Sequence, residues 1–201
     1  MKGRLIIFDL DGVLVDACEW HRAALNEALK EVCDYEISLQ DHHNTFNGIP
    51  TRVKLRKLTD MGLVEEKDHD HIYKLKQSKT VEIIRREGKI RPEKQAMINA
   101  LKTSGATVAC YTNSIRMTAE LMLEKTGILD LFDHVLTNQD VQKSKPDPEG
   151  YLFLMDYFGI SAENTYIIED SPKGLKAAYS SGANVIEVEN PEGVDTNLFT
   201  E

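Results

Sequence analysis

The sequence predicts an α/β protein, a doubly wound parallel sheet carrying a helical insert directly after its first strand. Three observations predict it. Short, continuous apolar runs recur along the chain, as strands buried on both faces require. Helical segments with clear start and stop signals lie between those runs, the alternation that builds a parallel sheet. More than ninety residues separate the first run from the second, far beyond an ordinary crossover.

The first strand is read at Arg4–Asp9, where Leu5-Ile-Ile-Phe8 ends in an acid. Comparable runs fall at Ala106–Thr112, His134–Thr137, Thr165–Glu169 and Asn184–Val188. Pro92 opens a helix that Gly105 closes, and Ser171-Pro172 opens another, a capping serine followed by a proline at the first helical position, that ends at Gly182. Inside the long insertion, Asp16 is placed to cap a helix with Glu19 three residues on. Ala17, Trp20, Ala24, Leu25, Ala28, Leu29 and Val32 form its apolar stripe. A second helix starts near Pro50 and presents Val53, Leu58 and Met61; a third runs over 65–87 with Ile72, Leu75, Ile83 and Ile84. The expected division is a core of residues 1–16 and 89–201 and a helical insert of residues 17–88, placed to act as a lid.

Composition narrows the function. The chain has 201 residues, 41% hydrophobic and 28% charged, enough to bury a sizeable core. A net charge of −9 argues against nucleic acid or an anionic membrane as the main partner. No stretch has the ~20 apolar residues of a membrane span, and Leu5–Phe8 is too short for the core of an export signal. Cys18, Cys33 and Cys110 show no metal-binding spacing and read as reduced packing thiols of a cytoplasmic protein.

Four polar groups follow four strand ends, where open α/β sheets bind ligands. They are Asp9-Leu-Asp11-Gly12, Thr112-Asn113-Ser114, Lys145-Pro146 and Glu169-Asp170. Carboxylates crowded on one edge repel unless a cation joins them, and hard oxygen ligands suit Mg²⁺ together with a substrate phosphate. Asp-x-Asp-Gly also opens calcium loops, but Val13 and Val15 stand where that loop needs oxygen ligands.

In this order the four motifs resemble the signature of the haloacid dehalogenase-like (HAD) hydrolase superfamily, which implies a Rossmann-like core. The insert resembles the C1 cap of its β-phosphoglucomutase-like branch, as does Glu169-Asp-Ser-Pro-Lys-Gly-Leu-Lys-Ala-Ala. The resemblance implies that Asp9 is the nucleophile and forms an aspartyl-phosphate, and that Asp11 is the general acid and base. It implies Mg²⁺ held by the Asp9 carboxylate, the Asp11 main-chain carbonyl and Asp170, with Glu169 acting behind them or through water. Thr112 and Lys145 are expected to bind the phosphoryl oxygens, with Asn113 orienting the same group and Lys145 also holding Asp9.

Within the family, Asp11 argues against a dehalogenase, which lacks that second acid, and no cap lysine stands in the context of a phosphonatase. The runner-up is a sugar-phosphate mutase. His21 matches the mutase's cap histidine, and Asn47, Gly48 and Arg52 fall in its substrate-recognition loop. The mutase, however, has a lysine at Asn47, an arginine at Thr51 and a threonine at Ala17. The expected activity is therefore a phosphatase acting on a small phosphorylated metabolite, a sugar phosphate first, with no nucleic-acid or membrane partner and a monomeric state. His21 reads equally as a core histidine, Asn47-Gly48 as a turn and Arg52 as a solvated charge. Asp68-His-Asp-His71 reads as a solvated face, because its alternation spreads the groups around a helix. A phospho-aspartate receiver domain, the reading from another class, has no long insert and ends its first strand in adjacent acids.

Overall fold

The computed structural model describes residues 1–46 and 49–199. The chain divides into two compact units, one of residues Met1–Asp16 and Gly88–Glu201, the other of Ala17–Glu87.

The first unit holds a five-stranded sheet, all parallel: β1 (Leu5–Phe8), β2 (Thr107–Tyr111), β3 (His134–Leu136), β4 (Thr165–Glu169) and β5 (Asn184–Glu187), in the order β3-β2-β1-β4-β5. β1 is central, and Leu5, Ile6, Ile7 and Phe8 have no exposed surface, so its four-residue apolar run fills both faces of the sheet. Phe8 pairs with Cys110 of β2 and with Ile168 of β4. This register sets the residues that follow β1, β2 and β4 side by side, where the strand order reverses.

Four helices of this unit are α5 (Pro92–Thr103), α6 (Arg116–Thr126), α7 (Glu149–Phe158) and α8 (Pro172–Ser180). Ser171 caps α8 by accepting the Gly174 N–H, with Pro172 at the first helical position. Leu154, Met155, Ala177 and Ala178 pack on Leu5, Ile7, Ala109 and Ile167 of the sheet.

The second unit contains α1 (Cys18–Cys33), the single turn α2 (Leu39–Asp41), α3 (Thr51–Asp60) and α4 (His69–Glu87). α1 packs along α4, and Leu25, Leu29, Ile37, Phe46, Leu55, Leu58 and Ile72 form its core. Asn26 ties the chain after α1 to that helix: its Oδ1 accepts the Ile37 N–H at 3.1 Å and its Nδ2 donates to the Ile37 carbonyl at 3.0 Å.

The helices differ in detail from the sequence expectation. Ala17, not Asp16, stands at the start of α1, and no side chain caps it there. Val53 is 45% exposed because α3 buries Leu55 and Leu58, and two residues turn a helix by about 200°. Met61 is 59% exposed at the position where α3 ends. A separate turn at Glu66–Asp68 precedes α4, which therefore begins at His69. Cys18 is exposed, so it does not pack as expected, whereas Cys110 is buried in β2; none of the three cysteines is in a disulfide. Among the described residues no helix is long and apolar enough to cross a membrane.

Candidate active site

Asp9 follows β1 and is 6% exposed; its N–H extends the ladder by donating to the Ile168 carbonyl at 3.0 Å. The chain then folds back tightly, with the Leu14 and Val15 N–H groups both donating to the Leu10 carbonyl at 3.0 Å. Gly12 makes this turn at φ +93°, and a Cβ there would lie 2.1 Å from Asp170 Oδ2. Glycine is thus required twice over, by the backbone conformation and by the approach of Asp170.

Lys145 enters from the loop after β3. Its backbone is held at both ends by one amide: Lys145 N–H donates to Asn113 Oδ1 at 3.2 Å, and Asn113 Nδ2 donates to the Lys145 carbonyl at 3.0 Å. Asn113, expected to orient the phosphoryl group, is therefore engaged in placing Lys145. The Lys145 ammonium donates to Asp9 Oδ1 at 2.8 Å, to the Tyr111 carbonyl at 2.9 Å and to Glu169 Oε1 at 2.6 Å, which uses its three protons. It also lies 4.8 Å from the Tyr111 ring centroid and 5.2 Å from that of Tyr151. Gly150 makes room for the Tyr111 ring, since a Cβ there would stand 2.2 Å from Cζ.

Glu169 has no exposed surface, and both its oxygens are used. Oε1 takes Lys145 and the Tyr151 hydroxyl at 3.2 Å; Oε2 takes the N–H groups of Asp170 and Ser171 at 2.9 and 3.1 Å. Its side chain thereby fixes the backbone that presents Asp170.

The electrostatics of the acids call for a cation. Burial pushes the Asp9 carboxyl well above the usual carboxylate range; Lys145 opposes this, and the charges of Glu169 and Asp11 add to it. For Lys145, burial favours the neutral amine, but the charges of Asp9 and Glu169 outweigh it and hold the ammonium's pKa well above its ordinary value. Burial, with the Glu169 charge behind it, pushes Asp170 up to about 7. Asp170 Oδ1 is buried without a hydrogen-bond partner. Asp9, Glu169 and Asp170 offer carboxylate oxygens that all lie within 4.8 Å of one another. An orphaned, desolvated carboxylate oxygen among hard oxygen donors fits a divalent cation such as Mg²⁺.

Asp11 is half-buried. Thr112 Oγ1 donates to its Oδ2 at 3.1 Å and Ser114 Oγ to the same oxygen at 2.8 Å. No role for Ser114 follows from the sequence alone. Its closeness to Asp11 depends on β2 lying beside β1, which spacing alone does not reveal.

The residues expected to bind substrate from the insert fall within the second unit. His21 Nδ1 lies 3.2 Å from the Nζ of Lys76, a buried lysine that nothing in the sequence distinguishes from the other charges of α4. Arg52 is 64% exposed in its side chain, pairs with Asp70 at 3.0 Å and stacks over Tyr73. Asn47 and Gly48 lie outside the described residues. In the Asp68–His71 run, His69 bonds to Thr59 and Asp70 to Arg52. Among the described residues, the only cluster of three or more acidic, histidine or cysteine side chains that could hold a metal is that of Asp9, Glu169 and Asp170.

Residues 6–188 match the family described as haloacid dehalogenase-like hydrolase. The chain belongs to that family. A phosphoglycolate phosphatase of Nitrosospira multiformis is 30% identical to this HAD-like hydrolase over 189 residues, covering 90% of this chain and 81% of that protein. A phosphorylated carbohydrates phosphatase of Thermotoga maritima is 27% identical over 180 residues, covering 88% of this chain and 81% of that protein. The crystal structure of CbbY from Rhodobacter sphaeroides in complex with phosphate shares the fold at a TM-score of 0.82 and 22% identity, covering 93% of this chain and 86% of that one. The four motifs of this HAD-like hydrolase therefore stand on the fold that their order implied.

Proposed function

We propose that this HAD-like phosphatase hydrolyses a small phosphate monoester, a sugar phosphate first, through an aspartyl-phosphate on Asp9 and with Mg²⁺ as cofactor. The observation that carries the reading is the Asp9 carboxylate at the end of the central strand, 2.8 Å from the Lys145 ammonium and clustered with Glu169 and Asp170. The relative named for phosphorylated carbohydrates supports the substrate class.

In the first step an Asp9 oxygen bonds to phosphorus as the bond from phosphorus to the substrate oxygen breaks, and Asp11 gives its proton to that oxygen. In the second, Asp11 takes a proton from water, the water oxygen bonds to phosphorus, and the bond to Asp9 breaks, releasing phosphate. Lys145 holds Asp9 and places positive charge where the phosphoryl oxygens gather it; Thr112 presents a hydroxyl beside them. The Asp9 and Asp170 carboxylates and the Asp11 carbonyl are the groups assigned to Mg²⁺, with Glu169 acting through the backbone it holds. Bound there, Mg²⁺ supplies charge neutralisation, so that an anionic nucleophile can approach an anionic ester.

In this reading residues 17–88 are the C1 cap and residues 1–16 and 89–201 the core, His21 and Arg52 are substrate-binding residues, and the protein is a cytoplasmic monomer. Three thiols outside any disulfide suit that compartment.

The test is phosphate release from a panel of sugar, nucleotide and short-acid phosphates with Mg²⁺ or chelator, with Asp9→Asn alongside. The expected result is metal-dependent release from one subgroup and none from Asp9→Asn. Turnover by Asp9→Asn overturns the nucleophile. Glucose 6-phosphate formed from β-glucose 1-phosphate with little free phosphate makes the protein a mutase instead.

A further inference from the structure

Two hydroxyls converge on one oxygen of Asp11. Ser114 Oγ stands 2.8 Å and Thr112 Oγ1 3.1 Å from Oδ2, and Thr112 Oγ1 in turn accepts the Ser114 N–H at 3.0 Å. These donors take up the lone pairs of Oδ2, so a proton carried by Asp11 in this geometry resides on Oδ1. Thr112 has a second task, since a phosphoryl group drawn to its hydroxyl competes with Asp11 for that proton. Ser114 makes the shorter bond.

We propose that Ser114 is a positioning residue for Asp11: its hydroxyl holds Oδ2 and keeps the transferable proton on Oδ1. This rests on the reading of Asp11 as general acid and base. As the bond from phosphorus to the leaving oxygen breaks and the bond to Asp9 forms, the Oδ1 proton passes to the leaving oxygen. Ser114 keeps its own proton throughout. In the return step the proton taken from water arrives at Oδ1, and the carboxyl does not need to turn between the half-reactions. Removing the Ser114 hydroxyl leaves its N–H bond to Thr112 in place, because that bond comes from the backbone.

The test compares kcat/KM for phenyl phosphate and 4-nitrophenyl phosphate, since nitrophenolate leaves with little help from an acid and phenolate needs more. Ser114→Ala is expected to lose about tenfold on phenyl phosphate and no more than about threefold on 4-nitrophenyl phosphate, with Ser114→Thr restoring both. Equal losses on the two esters, or a Ser114→Thr protein no better than Ser114→Ala, overturn the proposal. Asp11→Asn, run beside it, is expected to show the same bias more strongly. If Asp11→Asn is biased and Ser114→Ala is not, only the role of Ser114 falls; if Asp11→Asn itself shows no bias, the acid reading falls and takes Ser114 with it. Should Ser114→Ala not fold, Ser114→Cys, a weak donor of similar size, carries the same comparison.

Discussion

Lys145 and Glu169 form an ion pair at 2.6 Å with side chains only 3% and 0% exposed, and the same ammonium reaches Asp9 at 2.8 Å. One cation thus compensates two desolvated carboxylates, so each partner's burial depends on the other. Lys145→Met is expected to cost about 3–5 kcal/mol of stability and to abolish turnover, because it strands both acids. Adding Glu169→Gln removes one stranded charge, and more than about 1 kcal/mol should return while activity stays lost. Denaturant unfolding of the single and double variants checks this; a double variant no more stable than Lys145→Met contradicts the shared compensation.

Asp170 is the carboxylate whose Oδ1 lacks a partner. At about 100 times its Kd, Mg²⁺ is expected to stabilise the wild type by about 2.7 kcal/mol over the chelated protein. Asp170→Asn should lose most of that gain. Thermal unfolding with Mg²⁺ and with chelator reads both, and identical wild-type curves exclude a cation at this site.

Gly12 offers a sharper probe of the same place. Gly12→Ala puts a Cβ 2.1 Å from Asp170 Oδ2. It should raise the Mg²⁺ concentration needed for activity by about 10- to 100-fold. Gly3→Ala is the control: φ is also positive there, at +75°, but nothing lies within 4 Å of the added carbon. That variant should lose about 1–2 kcal/mol of stability with an unchanged metal requirement. A similar metal requirement in both variants would show that the contact with Asp170 does not matter.

Lys94 is 1% exposed and donates to the carbonyls of Pro191 and Val194. Burial lowers its pKa from 10.5 to about 8. Between those values the unfolded chain keeps a proton that the folded one has shed, so stability rises with pH through this window. The contribution is complete above the unfolded value and lost as pH falls through about 8. Relative to Lys94→Met, the wild type should gain at most about 3 kcal/mol between these limits. Paired urea titrations across the range check the sign; a falling difference refutes it.

The central strand β1 was legible because a strand buried on both faces must be apolar at every position, which leaves the run Leu5–Phe8 few other readings. The start of α8 was legible for a local reason too, a serine hydroxyl reaching an N–H three residues on. The helices of the insert were read less well. Val53 and Met61 are apolar yet exposed, and the face of α3 that is buried depends on what packs against it. Lys76 looked like one charge among many on α4, and its burial beside His21 comes from a neighbour 55 residues away.

The candidate site divides in the same way. That Asp9, Asp11, Thr112, Lys145 and Asp170 belong to strand ends follows from residue order alone, because parallel strands all end on one edge. Which side chains meet there is a matter of strand order. Placing β1 between β2 and β4 turns an acid, a threonine and a glutamate from distant segments into neighbours. That placement makes Ser114 the second donor on Asp11, the β2–β3 pairing lets Asn113 clamp Lys145, and Glu169 holds the Asp170 backbone by a local bond. Local chemistry was written along the chain; the partners of Asp9 and Asp11 required chain segments more than a hundred residues apart to lie side by side.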